Sequence, residues 1–179
     1  MKHPRSIRLK GYDYKQGGYF VTICTRDREC LFGDVTDCEM RLNDIGRRAQ
    51  VAWEALSKRF ADITLDAFTV MPDHIHGIIV VGAQFIAPNH PTLAQKGAMN
   101  RAPTLGEIVR TYKAVATHLI RRTENSRFAW QRNYYEHVIR DDHSLEHIRD
   151  YIVNNPARWA EDEENPEYQH RQKSSANHG

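Results

Sequence analysis

Apolar and polar positions alternate with two different periods along this chain, and the period marks the elements. Tyr19-Phe20-Val21-Thr22-Ile23-Cys24-Thr25 is rich in β-branched and aromatic residues and predicts a first strand. Residues 31 to 42 carry the turn signals Gly33-Asp34 and Thr36-Asp37 and predict an irregular β-excursion. Ile45, Ala49, Ala52, Trp53 and Leu56 then recur at helical spacing, which predicts a helix from a cap at Asn43 or Asp44 to about Phe60. Two strands follow, over 65–71 and 74–81. Pro72 separates them, because it has no amide donor and holds Met71 extended. The pair reads as a tight hairpin. Its second strand ends in Ile78-Ile79-Val80-Val81, apolar on both faces, as in a central strand covered on both sides.

The second half repeats the alternation. Thr104-Leu105-Gly106-Glu107 is a capping box, and it opens a helix to about Arg122 with Leu105, Ile108, Val109, Tyr112, Val115, Ala116 and Leu119 as its stripe. Residues 134–140 predict a fourth core strand. Asp141 or Asp142 caps a last helix from about His143 to Asn155, which Pro156 is expected to help end. The order β-α-β-β-α-β with a trailing helix is the ferredoxin-like split βαβ arrangement, an α+β fold. In it the third core strand, 74–81, is central. The trailing helix is the natural cover for the sheet face that the two crossover helices leave bare.

Composition narrows the class. A chain of 179 residues fits one packed domain, expected over 1–160. Residues 83–103, with three prolines, are expected to form a flexible loop, and 161–179 a polar, poorly ordered tail. No apolar run is long enough for a bilayer, and no apolar region follows the N-terminal charges as in a signal peptide. Cys24, Cys30 and Cys38 are odd in number and lack Cys-x-x-Cys spacing, which fits a reducing cytoplasm. The net charge is only +2, so affinity for nucleic acid has to rest on local patches. Residues 1–18 offer one, with Arg5, Arg8 and Lys10 among Tyr12 and Tyr14: cations for phosphates, rings for bases. Arg132 and Arg140 are further phosphate candidates, and Trp130 a further stacking candidate.

The chemistry concentrates on His74-Ile75-His76. On a strand the two imidazoles share one face, and two neutral imidazoles can share a cation. On the last helix Leu145, Ile148, Ile152 and Asn155 form one stripe, with Tyr151 beside it. Tyr151 and Asn155, four apart, project together from the helix expected to lie over the histidines. Two imidazoles and an amide oxygen suit Mg²⁺ or Mn²⁺ with positions left for phosphate oxygens, and Tyr151 suits a covalent step at phosphorus.

These residues also carry a resemblance. His74-Ile75-His76 matches the His-hydrophobic-His (HUH) motif, and with Tyr151-Ile152-Val153-Asn154-Asn155-Pro156 it is similar to the single-tyrosine HUH transposases. Residues 8–14, 19–25, 71–74, 130–137 and the Asn155-Pro156 region resemble the REP-associated tyrosine transposase branch, and the match spans roughly residues 5 to 166. The resemblance implies a ferredoxin-like enzyme that cuts single-stranded DNA beside a hairpin of palindromic repeats. The cut leaves a 5′-phosphotyrosine and a 3′-hydroxyl that can later rejoin strands. It implies Tyr151 as nucleophile, His74 and His76 as metal ligands, and Asn155 where relatives commonly carry a polar third ligand, often Gln. Two other readings stay open on the residues alone: a non-catalytic ferredoxin-like nucleic-acid-binding module, and a zinc hydrolase. The sequence leaves open whether the chain acts as a monomer or as a homodimer sharing the Tyr151 helix.

Overall fold

The computed structural model describes residues 17–82, 103–122, 127–162, 165 and 168. The four core strands are β1 (Gly17–Cys24), β4 (Ile63–Val70), β5 (His74–Val81) and β6 (Tyr135–Ile139). They form one sheet in the order β4-β5-β1-β6. Every neighbouring pair is antiparallel. With the helices α1 (Asp44–Glu54) and α3 (Leu105–Arg121) as crossovers, this is the expected ferredoxin-like arrangement. The excursion after β1 is more regular than expected. It is a two-stranded hairpin, β2 (Gly33–Thr36) and β3 (Glu39–Leu42).

The caps form where the sequence places them. Asn43 accepts from the amides of Ile45 and Gly46 at the start of α1. Thr104 and Glu107 make a complete capping box on α3. Asp141 accepts from Ser144 N at 2.7 Å at the start of α4 (Asp142–Arg158). The first helix is shorter than its periodicity suggests. It breaks at Ala55 and resumes as the single turn α2 (Leu56–Arg59). The last helix is longer, because Pro156 sits inside it and does not end it. Proline cannot donate to the carbonyl of Ile152, but its fixed φ is helical, so the chain continues to Arg158 and then into a 3₁₀ turn, Trp159–Glu161.

The sheet separates two apolar bodies. On one face Tyr19, Val21 and Ile23 of β1 and Ile75, Ile79 and Val81 of β5 bury against Ala49, Ala52 and Trp53 of α1 and Ile108, Tyr112, Ala116 and Ile120 of α3. On the other face lies a smaller cluster of Ile78, Ile139 and Ile152, with Phe20, Val80, Leu145 and Ile148 at its edge. Ile152 is the contribution of α4. Burying it is worth about 1.5–3 kcal/mol, and it fixes the helix on the face that α1 and α3 leave bare.

A bulge reinforces that docking. The β4–β5 register shifts between Leu65 and Phe68. Asp66 sits in the shift, and its carboxylate receives Arg149 of α4 through two bonds, Nε–Oδ1 at 3.0 Å and Nη2–Oδ2 at 2.6 Å. Past α4, Asn165 is buried and donates to Trp159 O at 2.8 Å, so packing extends into the stretch expected to be a tail. The expected 83–103 loop, apart from Pro103, and most of 163–179 lie outside the described residues.

Gly77, the residue after the histidine pair, faces the opposite body. A Cβ there would run into the indole of Trp53, which stacks on Phe68 with centroids 4.7 Å apart. We expect Gly77→Ala to lower the unfolding free energy by about 1–3 kcal/mol in urea titrations, because the ring is held on both sides and cannot yield. An unchanged midpoint would mean that Trp53 has room to move.

Candidate active site

The site is built on a two-residue turn. Met71 N donates to His74 O at 2.8 Å and closes the β4–β5 hairpin around Pro72 and Asp73. The turn is pinned from outside. Phe32 N donates to Pro72 O at 3.0 Å, and Thr25 donates to Asp73 O through both its amide and its hydroxyl, each at 2.9 Å. His74 and His76 therefore start β5 from a fixed point, on the face toward α4, and both are buried.

Each imidazole is held by its Nδ1. His74 Nδ1 lies 2.6 Å from Asp73 Oδ1. His76 Nδ1 lies 2.9 Å from Thr22 Oγ1, its cross-strand neighbour on β1. The two Nε2 atoms then face each other at 2.9 Å. The proton positions follow from this arrangement. A carboxylate only accepts, so His74 carries its proton on Nδ1 and its Nε2 is bare. His76 must donate Nε2–H into that bare nitrogen, and Thr22 must donate its hydroxyl to His76 Nδ1. With a cation between the rings, His76 would carry its proton on Nδ1 instead, and the Thr22 hydroxyl would turn to accept it. A hydroxyl serves both states.

Charge follows burial. Burial drops His74 to about 3, with Arg28 pushing the same way and Asp162 opposing. Burial and the neighbouring His74 hold His76 well below the usual imidazole range. Burial raises Asp73 to about 6 against the pull of Arg28. At neutral pH the pair is thus two neutral imidazoles beside one carboxylate, the state in which imidazole binds metal.

The α4 helix completes the site. Tyr151 Oη is 3.4 Å from His76 Nε2. Its ring meets the imidazole with centroids 5.2 Å apart and Phe20 edge-on at 5.9 Å. The tyrosine is 38 % exposed, so the residue is partly open to solvent. Four residues on, Asn155 is 4 % exposed, and its Oδ1 is buried with no hydrogen-bond partner. A further turn brings Trp159 over His74, centroids 6.1 Å apart. Along α4, Asn155 falls between Ile152, which packs with Ile78, and Trp159, which packs near His74. An orphaned buried acceptor costs about 1–3 kcal/mol unless something satisfies it.

The donor set fits a hard or borderline divalent cation. Two nitrogens 2.9 Å apart have the spacing of adjacent ligands on bonds of about 2.1 Å at a right angle, and the amide oxygen lacks a partner. Among the described residues no three His, Cys, Asp or Glu side chains cluster as a metal site.

The other expected contacts divide. Arg132 is exposed, and Gln131 N donates to Cys24 O at 2.9 Å, which puts it at the His74 end of the sheet. Arg140 is exposed at the opposite end, since Thr22 pairs with Tyr135 and Gly18 with Ile139. Five residues of strand separate Arg140 from the level of His76, about 17 Å. Trp130 turns inward. It packs on Tyr112, Phe128 and Phe32 at 5.4, 5.0 and 5.5 Å and donates its indole N–H to Lys113 O at 3.2 Å. It is half-buried against the larger core, with its ring and its donor both engaged. Arg5, Arg8, Lys10, Tyr12 and Tyr14 lie outside the described residues.

Sequence reasoning missed Thr22, Arg28, Asp73 and Trp159. Asp73 and Trp159 left a signal, one adjacent to the first histidine and one four residues past Asn155. Thr22 reaches His76 across 54 residues of sequence and left none.

Comparison with known proteins agrees with this architecture. No family model matches the chain. A Haemophilus influenzae protein described as "Uncharacterized protein" is 43% identical over 169 residues, covering 90% of this chain and 92% of its own. A second Haemophilus influenzae protein, "Putative REP-associated tyrosine transposase", is 26% identical over 147 residues, 82% of this chain and 74% of its own. Among solved structures, a REP-associated tyrosine transposase bound to a REP hairpin superposes with a TM-score of 0.55 at 22% identity, covering 84% of this chain and 73% of the other. That likeness is one of fold.

The neutral imidazoles set a pH dependence. Below about 6.5 the unfolded histidines take up protons that the folded pair refuses, so stability falls as the pH falls. Asp73 acts the other way between about 6 and its ordinary 3.8, where the folded state takes the proton first. Two histidines outweigh one carboxyl. We expect chelator-treated protein to be about 2–3 kcal/mol less stable to urea at pH 5 than at pH 7.5, with a shallower loss in His76→Gln. A flat profile would contradict the buried neutral pair.

Proposed function

We propose that this chain, which is similar to a putative REP-associated tyrosine transposase, is a metal-dependent single-stranded DNA endonuclease and strand transferase. It acts beside hairpins of palindromic repeats through a 5′-phosphotyrosine on Tyr151. The observation that carries this reading is the placement of the Tyr151 hydroxyl 3.4 Å from His76 Nε2, on a helix whose next turn holds the buried, unpartnered Asn155 Oδ1.

His74 and His76 would hold the cation through their Nε2 atoms and Asn155 through its Oδ1. Bound there, Mg²⁺ or Mn²⁺ supplies charge neutralisation at the scissile phosphate. The chain's own residues do the rest. Asp73 and Thr22 orient the imidazoles. Phe20 packs edge-on against the Tyr151 ring and limits where the phenol points. Tyr151 Oη forms a bond to phosphorus, the 3′-oxygen leaves and takes up a proton, and the phenolic proton passes to solvent through the exposed edge. The reverse reaction by a 3′-hydroxyl restores the phenol and a phosphodiester. One bond to phosphorus forms as one breaks, so no external energy source is needed.

Arg132, exposed at the histidine end of β6, is the described cation best placed to meet the DNA backbone. Among the described residues no helix is long and apolar enough to cross a membrane, and the reading assigns the protein to the cytoplasm, on chromosomal repeats. The fold alone would also serve a non-catalytic hairpin binder, which needs neither a partly exposed Tyr151 nor an unpartnered Asn155 oxygen.

The test is cleavage of end-labelled single-stranded DNA carrying a palindromic repeat, resolved on a denaturing gel. We expect product with Mn²⁺ or Mg²⁺ and none with chelator. Tyr151→Phe should lose on the order of a thousandfold or more in rate while retaining hairpin binding. Asn155→Ala should raise the Mn²⁺ concentration needed. Cleavage that survives in Tyr151→Phe would overturn the assignment of the nucleophile. Tight hairpin binding with no cleavage of any repeat would favour the binding module.

A further inference from the structure

Between β1 and β2 the chain makes a turn that carries unusual backbone strain. Asp27 and Arg28 both adopt the left-handed conformation, with φ of 54° and 59°. For residues with a Cβ this costs about 1–2 kcal/mol each. A surface turn can avoid such a cost with glycine, yet here the strain accompanies one outcome, the delivery of the Arg28 guanidinium to a buried carboxylate. Arg28 Nε is 2.8 Å from Asp73 Oδ2, an ion pair in which the N–H is not aligned on the oxygen, and Asp73 is fully buried. Arg28 Nη1 donates to Cys24 Sγ at 2.9 Å.

Asp73 therefore stands between two partners. One oxygen meets Arg28, and the other meets His74 Nδ1 at 2.6 Å. The carboxyl group is planar, so anchoring Oδ2 fixes the direction of Oδ1. The direction of Oδ1 then fixes the rotation of the His74 ring about its Cβ–Cγ bond. The carbonyl of the same Asp73 is held by Thr25, three residues before Arg28. The turn thus grips Asp73 by main chain and side chain together.

We infer that Arg28 is a positioning residue for the histidine pair: acting through Asp73, it holds His74 in the Nδ1–H form with Nε2 turned toward His76. The inference rests on the reading of His74 as a metal ligand. The orienting step itself is a property of the metal-free protein. Outer partners of ligating histidines commonly contribute ten- to a hundredfold in affinity, because a misrotated or wrongly protonated ring has to be corrected before it can bind.

The test uses the full-length protein, Arg28→Met, Asp73→Asn and the double variant. Mn²⁺ affinity is measured by calorimetry, and the ring nitrogens are read by ¹⁵N NMR of metal-free protein. We expect Arg28→Met to weaken Mn²⁺ binding about tenfold or more and to convert His74 from one tautomer to a mixture. The double variant should be no weaker than Asp73→Asn alone, since Arg28 acts through that carboxylate. Arg28→Met binding Mn²⁺ within twofold of wild type, with an unchanged His74 spectrum, would overturn the inference. So would losses that multiply in the double variant. Should the Met variant not fold, Arg28→Lys keeps the charge but cannot span Asp73 and Cys24. The same tautomer mixing is expected there, and an unmixed spectrum would count against the inference. A wild-type protein that takes up no Mn²⁺ would overturn the metal reading of the site, while the imidazole spectra would still decide the role of Arg28.

Discussion

The contact on which the chemistry depends is the seating of α4 on the sheet face that the crossover helices leave open. A ferredoxin-like sheet has one face buried by its own connections and one that something else must cover. Here Ile152 closes over Ile78 and Ile139, and Arg149 grips the Asp66 carboxylate that the β4 bulge turns toward it. Neither contact involves a histidine, yet both set the axial position and rotation of the helix. Tyr151, Asn155 and Trp159 then reach the histidine end of the face without any further element. A helix displaced by one turn would carry the phenol about 5 Å from its place.

The histidine end is a small, buried compartment. His74 and His76 are buried, Trp159 packs over one ring and Phe20 beside the other. Desolvation keeps both imidazoles neutral, and outer hydrogen bonds decide where their protons sit. The same burial that makes the pair ready for a cation makes it a liability to the empty fold. Two bare nitrogens facing each other would repel, and one shared proton resolves this only while Thr22 donates from behind. The hydroxyl at position 22 is therefore as much a part of the design as the imidazoles.

Much of this was legible in the residues. Strand and helix periods, the three helix caps and the hairpin at Pro72 follow from local rules, and the four-residue spacing placed Tyr151 and Asn155 on α4, where Tyr151 meets His76 and Asn155 is buried. Four features were not legible. Thr22 and Arg28 reach partners far along the chain, and only strand register and a left-handed turn bring them there. Trp130 sits among Gln and Arg in sequence, which suggests a surface platform, but a carbonyl on α3 was available to its indole and the core took the ring. Pro156 reads as a stop, yet α4 absorbs the one lost hydrogen bond near its end. The Asp66 bulge likewise depends on a register shift that no periodicity announces.

The central claim is that β5 and α4 of a single chain converge on one cation. The most direct measurement is paramagnetic broadening on adding substoichiometric Mn²⁺ to isotopically labelled protein. The account predicts early, joint loss of the His74 and His76 ring signals, the Asn155 side-chain amide and the Tyr151 ring, and loss of all four effects in His74→Gln. It would be contradicted by broadening that spares Asn155 and Tyr151. It would also be contradicted by broadening centred on the exposed His143–His147 pair of α4, whose rings lie 4.8 Å apart on successive turns and offer Mn²⁺ the obvious competing site.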